Sequence, residues 1–394
     1  MKECPHSRAS CRTPEAARTA ESSAHAPGPR SFVLTVRSSL MDRCTAQASR
    51  VASHWLAMIA TAIVTAGALA GWPAPAGAQD LNVTLPVAAL EQMLQSEPLH
   101  IVSAQISRPK AKGDITLKAE VAFGERPPMR VKLRKAEPGA ESFNNVPRYD
   151  LAAYELQKLL MDAAEHVVPP TALRMVPLAE LQVYSRAVQR TFKGSDEVLC
   201  VLQYWLQEVK AVADVLDPIQ FETDAVYARH IGQLNVFTYL IRHGDSNLGN
   251  FLISGAETGP RVFSIDNGVA FASRASDRGK LWQEMRIKRL PADTVERLRK
   301  LSQAGLESRL GVLAQWELHG DRFVPVTPGS NLSPKRGVRR EENTVQMGLT
   351  QSEIASVWQR TKRLLKMLDD GDIAESLLQV SCACGYPRRF ASRG

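Results

Sequence analysis

The stretch YLIRHGDSNLGNFLI covers residues 239–253, and VFSIDNGVAF follows it at residues 262–271. Both stretches combine short apolar runs, which suit strands, with polar residues, which suit loops. Asp245 and Asn250 lie five positions apart in the first loop, and Asp266 comes sixteen residues after Asn250. If the flanking strands are neighbours, the two loops bring two carboxylates and one carboxamide to the same place.

This spacing matches a loop of phosphoryl-transfer enzymes in which an Asp and an Asn stand five residues apart. In that loop one carboxylate orients the attacking hydroxyl, while the amide oxygen and a second carboxylate hold a divalent metal. Asp245 and His243, which opens the loop, are therefore candidate catalytic residues, and Asn250 and Asp266 are candidate metal ligands. Gly268 is expected to allow the chain to turn sharply after Asp266.

Two other interpretations of the loop stay open at this point. Asp and Asn are common turn residues and Asp-Asn-Gly suits a hairpin, so the segment could be a plain turn. His243 and Asp245 could instead be ligands of a hydrolytic metal, although the sequence nearby holds no cluster of His or Glu to complete such a site.

The sequence upstream of the motif predicts a small β-rich lobe. Residues 99–108, 114–123 and 129–136 alternate apolar and polar side chains, and turn-like segments separate them, which predicts an antiparallel meander. Residues 147–163 carry apolar side chains at helical spacing, and the mostly apolar segment 197–206 suits a buried strand.

The sequence downstream of residue 206 is mainly helical in pattern. Helical stripes begin near Thr223, Pro291 and Thr350, whereas the polar, Pro- and Gly-rich segment 327–345 is predicted to be a long exposed loop. Strands followed by helices predict an α+β fold, with a β-rich N-lobe that contains one helix over residues 79–206 and a mainly helical C-lobe over 207–378.

The third predicted strand offers two lysines, Lys132 and Lys135, that could bind phosphate groups. Strand alternation places Lys135 in phase with the apolar residues of that strand, which favours Lys135 and keeps Lys132 as the alternative. Asp150 and Glu155 on the following helix are the candidate acidic partners of the lysine.

Four segments together resemble the atypical kinase-fold group, which includes the secretory-pathway protein kinases, the bacterial HipA-type kinases and the type II phosphatidylinositol 4-kinases. They are YDLAAYELQKLL at residues 149–160, VVPPTALR at 167–174, and the two stretches quoted first. The resemblance covers roughly Met129 to Phe271. It implies a two-lobed kinase-like fold that uses ATP or another NTP with Mg²⁺ or Mn²⁺.

Within this resemblance, Asp245 is the catalytic base, Asn250 and Asp266 are metal ligands, and Lys135 or Lys132 binds phosphate. Asp150 stands where the group usually has Glu.

The resemblance also places the backbone of Gln203, Tyr204 and Trp205 at the hinge beside adenine. Two features of the group are missing: no G-x-G-x-x-G covers the phosphates, and no A-P-E follows IDNG. Lys112 and Gly113, with Lys110 between the first two predicted strands, are the nearest substitute for the glycine-rich loop.

The N-terminal region has the sequence pattern of an exported protein. Residues 1–40 lack periodicity and are expected to be a disordered leader or an over-called start. Residues 41–78 read as a signal peptide, because a basic segment precedes the apolar run 55–72 and Ala76-Gly77-Ala78 offers a cleavage site. A single membrane anchor is the alternative. Cleavage predicts a periplasmic or secreted protein that begins near Gln79 and has no stable membrane span.

The composition adds few constraints. The formal net charge is +8, but much of the basic excess lies in the first 50 residues and the last few, so no nucleic-acid partner is predicted. After cleavage, Cys200 is expected in the core, and Cys382 and Cys384 in a flexible tail over residues 379–394. Three cysteines do not make a disulfide framework.

Three functions are consistent with these patterns. The first is an exported kinase-like enzyme that transfers the γ-phosphoryl group to a hydroxyl of a protein, lipid or sugar. The second is a non-catalytic kinase-like module that binds a nucleotide or a protein. The third is a structural envelope protein whose polar loop is only a turn.

Overall fold

The computed structural model of the chain describes residues 81–107, 115–142, 145–246, 249–257, 259–271 and 277–376, all within one unit over residues 76–394. The expected leader, signal peptide and tail lie outside the described residues, as do Lys110, Lys112 and Gly113. In the part of the chain that the structure describes, no helix is both long enough and apolar enough to cross a membrane.

The first five strands precede most of the helices, as the sequence predicts, but one helix comes before them and later strands alternate with the helices. The helices are α1 Val87–Gln95, α2 Pro147–Gln157, α3 Leu178–Gln182, α4 Pro218–Thr223, α5 Ala225–Ile241, α6 Ala292–Lys300, α7 Gln303–Leu310 and α8 Gln351–Asp369. The strands are β1 Leu99–Ile106, β2 Thr116–Phe123, β3 Met129–Lys135, β4 Thr171–Pro177, β5 Glu197–Tyr204, β6 Val209–Ala211, β7 Phe251–Ser254, β8 Val262–Ser264, β9 Arg289–Pro291, β10 Ala314–His319, β11 Arg322–Val326, β12 Val338–Glu341, β13 Thr344–Met347 and β14 Ala374–Ser376.

The first lobe is built on an antiparallel sheet with the strand order β1-β2-β3-β5-β4. The predicted meander is confirmed as β1, β2 and β3, and β5 is buried along its whole length, as its apolar sequence predicts. One face of the sheet packs its Val and Leu side chains against α1, a helix that the sequence analysis did not predict. Helix α2 packs on the other face.

The second lobe has a core of its own, made mainly by α5 and α8 with the apolar side of α2. Asp224 caps α5 by accepting hydrogen bonds from the backbone N–H groups of Val226 and Tyr227. Strands β6, β7 and β8 form a small antiparallel sheet that carries the chain on either side of the polar loops. The predicted α+β class, with a β-rich first lobe and a mainly helical second lobe, is confirmed.

The prediction of an exposed loop over residues 327–345 is wrong for its second half, whereas residues 327–337 are mostly exposed and have no regular secondary structure. The second half contains β12 and the first two residues of β13, and these strands join β10 and β11 in a four-stranded sheet with the order β11-β10-β13-β12. Four apolar residues of this sheet share a core cluster with Leu151 of α2 and with the five-stranded sheet: Trp316, Phe323, Val345 and Met347. The polar composition of this segment predicted exposure to water, but the buried Arg339 donates hydrogen bonds to three backbone carbonyl groups instead.

Two helix predictions are corrected in length. The helix predicted over residues 147–163 ends at Gln157, and residues 163–165 form a short 3₁₀ turn. The single helix predicted from Pro291 is two helices, because Leu301 and Ser302 adopt extended backbone and Ser302 caps α7 through the N–H of Gly305.

Candidate active site

The polar loop begins where α5 ends. Arg242 has a left-handed backbone with φ of +49°, which terminates the helix and turns the chain into the loop. The N–H of His243 still bonds to the carbonyl of Thr238, and the N–H of Gly244 bonds to the carbonyl of Val269. The loop is therefore attached at its start to the segment that follows Asp266.

His243 lies at the centre of this arrangement and is fully buried. Its Nδ1 accepts a hydrogen bond from the backbone N–H of Asp245 at 3.2 Å, and its Nε2 lies 3.4 Å from the carbonyl oxygen of Ile265. Burial lowers the pKa of His243, which favours a neutral ring with its proton on Nε2. His243 therefore joins the loop to the residue before Asp266, and its role is positioning.

The alternative of a hydrolytic metal site at His243 and Asp245 gains no support from the geometry. Both ring nitrogens of His243 face backbone groups. Among the described residues, no three side chains of the His, Cys, Asp and Glu types form a group that could hold a metal ion.

Asp245 and Asn250 contact each other, as their spacing predicts. The Asn250 Nδ2 donates to the Asp245 backbone oxygen at 2.7 Å and to Asp245 Oδ2 at 3.1 Å. The carbonyl of Asn250 accepts from the N–H of Ile265 at 2.9 Å. Because Nδ2 makes both side-chain contacts, Oδ1 is the atom of Asn250 able to bind a cation.

Asp266 follows β8 with a left-handed backbone, φ +59° and ψ +45°. Such a conformation is uncommon for a residue with a side chain and is concentrated at functional sites. The buried Asn267 stabilises the turn, because its Oδ1 accepts a hydrogen bond from Ser264 Oγ at 3.0 Å. The turn therefore holds the Asp266 carboxylate at the end of β8, next to the loop.

Gly268 is required for a different reason from the sharp turn that its sequence predicts. Gly268 does not have a positive φ; the positive values fall on Asp266 and Phe271. A Cβ at Gly268 would lie 2.3 Å from Arg134 Nη2 and 3.0 Å from Asp150 Oδ2. Glycine is therefore needed for close approach to an ion pair and not for an unusual backbone angle.

Strand β3 supplies the cations of the site. The Lys132 ammonium pairs with Asp266 Oδ1, and the Arg134 guanidinium pairs with Asp150 on α2 and lies 3.8 Å from Asp266 Oδ1. Asp150 therefore meets Arg134 and not a lysine. The sequence analysis missed Arg134, although its place two residues after Lys132 on a strand puts both side chains on one face.

The preference for Lys135 is corrected by this geometry. Lys135 lies on the opposite face of β3 and its Nζ pairs with Glu137 at 2.6 Å. The apolar residues that share its face belong to the core of the lobe. A side chain in phase with them therefore points away from the polar loops. Glu155, the second candidate partner, contacts Lys158 and Arg309 instead.

Arg134 and Asp150 are both almost completely buried. Burial raises the pKa of the Asp150 carboxyl, and the neighbouring Arg134 and Lys132 cations oppose that shift. A buried charge needs a partner to stay charged, and Arg134 provides one to Asp150. The pair joins α2, β3 and the turn after Asp266 at one point.

The predicted hinge residues lie at the end of β5. Gln203 is opposite Lys132 in the sheet, so both side chains project from the same face. The backbone N–H groups of Tyr204 and Trp205 already bond to the carbonyls of Pro170 and Arg130. Recognition of adenine by those two N–H groups would require both contacts to break.

The charges and donor atoms of the site suit a divalent cation. Lys132 and Arg134 carry two positive charges against three negative charges on Asp150, Asp245 and Asp266, which leaves a formal charge of −1. Carboxylate and amide oxygens are the ligands that Mg²⁺ and Mn²⁺ prefer. Asp266 and Asn250 fit such an ion, and Lys132, which pairs with Asp266, lies beside it.

No protein-family model and no curated protein matches the chain. Among the solved structures similar to the chain are two at 12% identity, one of the Golgi casein kinase and one of the Golgi casein kinase with Mn and ADP bound. The TM-scores are 0.44 and 0.43, over 73% and 71% of this chain and 75% and 74% of theirs. The residue assignments above depend on contacts within the chain and not on this likeness.

Proposed function

We propose that the protein is a kinase-like phosphotransferase that moves the γ-phosphoryl group of ATP or another NTP, with Mg²⁺ or Mn²⁺, to a hydroxyl group. One observation carries the proposal. Lys132 on the sheet pairs with Asp266, and Asp245 and Asn250 contact each other on a loop that bonds to the residue before Asp266. Two carboxylates, one amide and one lysine from separate segments thus converge, as phosphoryl transfer requires.

Each residue has a chemical role in this proposal. Asn250 and Asp266 would hold the metal, which neutralises phosphate charge when bound. Lys132 would leave Asp266 and bind phosphate oxygens, while Arg134 stays with Asp150 and keeps β3 and α2 in register. Asp245 would orient the acceptor hydroxyl and take its proton. The acceptor oxygen would then bond to the γ-phosphorus while the bond between that phosphorus and the β-phosphate oxygen breaks.

A non-catalytic kinase-like binding module is the second candidate, and two observations favour it. Lys132 and Asp266 neutralise each other directly, so their pair must open before either can bind a nucleotide or a metal. The N–H groups of Tyr204 and Trp205 are also bonded within the sheet. Both observations describe a cost of nucleotide binding, so they favour a module that binds a protein, and turnover separates the two candidates.

The site of action and the acceptor belong to the same proposal. The pattern of residues 41–78 supports export to a periplasm or to the exterior, with no stable membrane span after cleavage. The acceptor would be a hydroxyl of a protein, a lipid or a sugar, and no nucleic acid is proposed as a partner.

The test is an assay of the purified chain with Mn²⁺ and ATP labelled on the γ-phosphate, beside Asp266→Asn and Asp245→Asn. We expect labelled product or released phosphate from the wild type only. Asp245→Asn should still bind the nucleotide, because Asp245 acts on the acceptor, whereas Asp266→Asn should lose most of its metal-dependent binding.

Three outcomes separate the candidates. Turnover that both variants lose supports the phosphotransferase, and binding without turnover in the wild type supports the binding module. A melting temperature that no nucleotide or metal alters would contradict the phosphotransferase and a nucleotide-binding module. Stabilisation by a protein partner alone would then support a protein-binding module, and its absence would favour the structural protein.

A further inference from the structure

Three consecutive residues at the start of α2 contact three different parts of the chain. Arg148 reaches Glu353 in the first turn of α8, and Asp150 reaches Arg134 on β3. Between them, the ring of Tyr149 packs on Phe271 with centroids 5.5 Å apart, and its hydroxyl donates to Glu353 Oε1. One turn of helix therefore joins the candidate site to the C-terminal part of the chain.

The contact between Arg148 and Glu353 is bidentate. Arg148 Nη1 lies 2.5 Å from Glu353 Oε2, and Nη2 lies 2.9 Å from Glu353 Oε1. Arg148 is 5% exposed, and it also contacts the carboxylate of Glu141, the carbonyl of Gly348 and the side chain of Tyr149. Two parallel hydrogen bonds fix orientation as well as distance, so this pair restricts rotation of α2.

The partner residue is itself held in place. Glu353 is the third residue of α8, and its Oε2 accepts from the N–H of Thr350 at 2.7 Å while Thr350 Oγ1 accepts from the N–H of Glu353. This capping box anchors the carboxylate to the helix terminus. Burial raises the pKa of Glu353, but Arg148, the Tyr149 hydroxyl and the N–H of Thr350 together outweigh that effect and hold the pKa below its ordinary value.

The backbone around Arg148 leaves little room for its guanidinium group to move. We call residues 314–353, which comprise β10 to β13 and the first residues of α8, the C-terminal brace. A Cβ at Gly337 of the brace would lie 2.1 Å from Arg148 Nε, so the backbone there touches the guanidinium. Apolar residues of the brace also share a core cluster with Leu151, the residue after Asp150.

We propose that the C-terminal brace fixes α2, and that Arg148 and Glu353 are positioning residues that keep Asp150 on Arg134 and so set the place of β3 beside Asp266. The inference rests on the proposed function. It means that the helix bearing the acidic residue of the site is held by the chain itself. Nucleotide binding and turnover would then need no activating partner to dock α2.

Arg148 can position Asp150 because both residues belong to the first turn of α2. Arg148 and Asp150 are two residues apart on the same turn, so movement at Arg148 displaces Asp150. The space for displacement is small, because Gly268 leaves room for the Arg134–Asp150 pair and for nothing larger. A loss of the brace contact should therefore affect the site more than it affects the remote helices.

The experiment compares Glu353→Gln with Asp369→Asn in the full chain. Glutamine keeps the capping box but removes the charge that holds Arg148. Asp369 lies at the other end of α8 and forms an exposed ion pair with Arg299, so its change is the matched control. The readouts are kcat and KM for the Mn²⁺-nucleotide, thermal unfolding, and hydrogen exchange of α2 and α5.

We expect Glu353→Gln to lower kcat by about 10-fold or more, as small displacements at a site do, and to speed exchange in α2 but not in α5. Asp369→Asn should match the wild type in all four readouts. The double variant Arg148→Glu with Glu353→Arg should recover part of the lost kcat, which loss of stability alone would not allow.

Equal kcat and equal α2 exchange in Glu353→Gln and in the wild type would overturn the proposal, as would uniform loss of protection across α2 and α5. Where Glu353→Gln does not fold, Arg148→Lys, which keeps the charge but loses the bidentate contact, is measured in the same way. If the wild type transfers no phosphoryl group, the proposed function fails, and exchange in α2 alone decides whether Glu353 holds that helix.

Discussion

The two faces of strand β3 differ in the side chains that they carry and in the partners of those side chains. One face presents Lys132 and Arg134, both paired with carboxylates from other parts of the chain. The other presents Val131 and Leu133, which are completely buried in the core of the lobe, and Lys135 at its edge. Two lysines three residues apart on one strand therefore have unrelated surroundings.

This difference shows why the two faces have different roles. Arg134 tolerates burial because Asp150 compensates its charge, and Asp150 comes from the helix that covers that face. The opposite face packs mainly apolar side chains against α1, and Lys135 at the end of the strand pairs only with the nearby Glu137 rather than with a residue of the polar loops. The charged face is consequently the one that can bind a charged ligand, whereas the apolar face maintains the fold.

The largest effect should come from removing a charge on the charged face. Lys132→Met is expected to lower phosphoryl transfer by about 10² to 10³-fold, because one preorganised electrostatic contact to the transferring group is lost. Lys135→Met is the matched control on the same strand and should leave the rate per folded molecule unchanged. The measurement is the initial rate with Mn²⁺-ATP, and equal losses in both variants would contradict the division of β3 into two faces.

The apolar face should show the reverse behaviour. Leu133→Ala removes a fully buried side chain and is expected to cost about 2–5 kcal/mol of stability. Its rate per folded molecule should be that of the wild type, since Leu133 faces away from Asp266. Denaturant unfolding gives the stability, and a rate that falls as far as in Lys132→Met would show that the two faces are not separate.

A smaller effect is expected behind the charged face. Gly268→Ala places a methyl group against Arg134 and Asp150, and the displaced pair should lower the rate by about 10 to 100-fold. Gly329→Ala is the control, because a Cβ there meets only Gln315 Oε1, at an ordinary 3.6 Å. Steady-state kinetics of both variants checks the prediction, and an unaffected Gly268→Ala would show that the pair has room to move.

The smallest effect concerns a buried group that is kept neutral. Burial lowers the pKa of His166 to about 4, and nearby Lys158 adds to this shift. Because the unfolded chain binds a proton near pH 6.5 and the folded chain does not, His166 contributes stability above pH 6.5 that is lost as the pH falls. We expect a loss of about 1 kcal/mol between pH 7 and pH 5.5.

The matched variant for that prediction is His166→Phe, which keeps an aromatic ring against Tyr154. Denaturant unfolding at several pH values should show a shallower pH dependence in the variant than in the wild type. His243, whose pKa burial also lowers, remains in both proteins and accounts for part of the common slope. An identical slope in both proteins would remove His166 from the explanation.

Part of this architecture was predictable because it depends on local sequence. Alternating residues predicted β1, β2 and β3, and the apolar run predicted β5. The five-residue spacing of Asp245 and Asn250 also predicted their contact, since a short loop keeps its own residues close together. These features need no information about distant segments.

Other features depended on contacts that no local pattern encodes. Lys135 was preferred over Lys132 because alternation tells which residues share a face but not which face meets the loops. Arg134 was missed because its partner, Asp150, lies on another element. Residues 338–345 of the C-terminal brace were predicted to be part of an exposed loop, because their sequence does not show that Arg339 bonds to backbone carbonyl groups in place of water.

The most direct test of the site is calorimetric binding of Mn²⁺ with a non-hydrolysable ATP analogue to the wild type, to Asp266→Asn and to Lys135→Met. We predict metal-dependent binding by the wild type and by Lys135→Met, and at least about 10-fold weaker binding by Asp266→Asn, as expected when one charged metal ligand is lost. No binding by the wild type, or equal binding by Asp266→Asn, would contradict the assignment of Asp266 and Lys132 to a metal–nucleotide site.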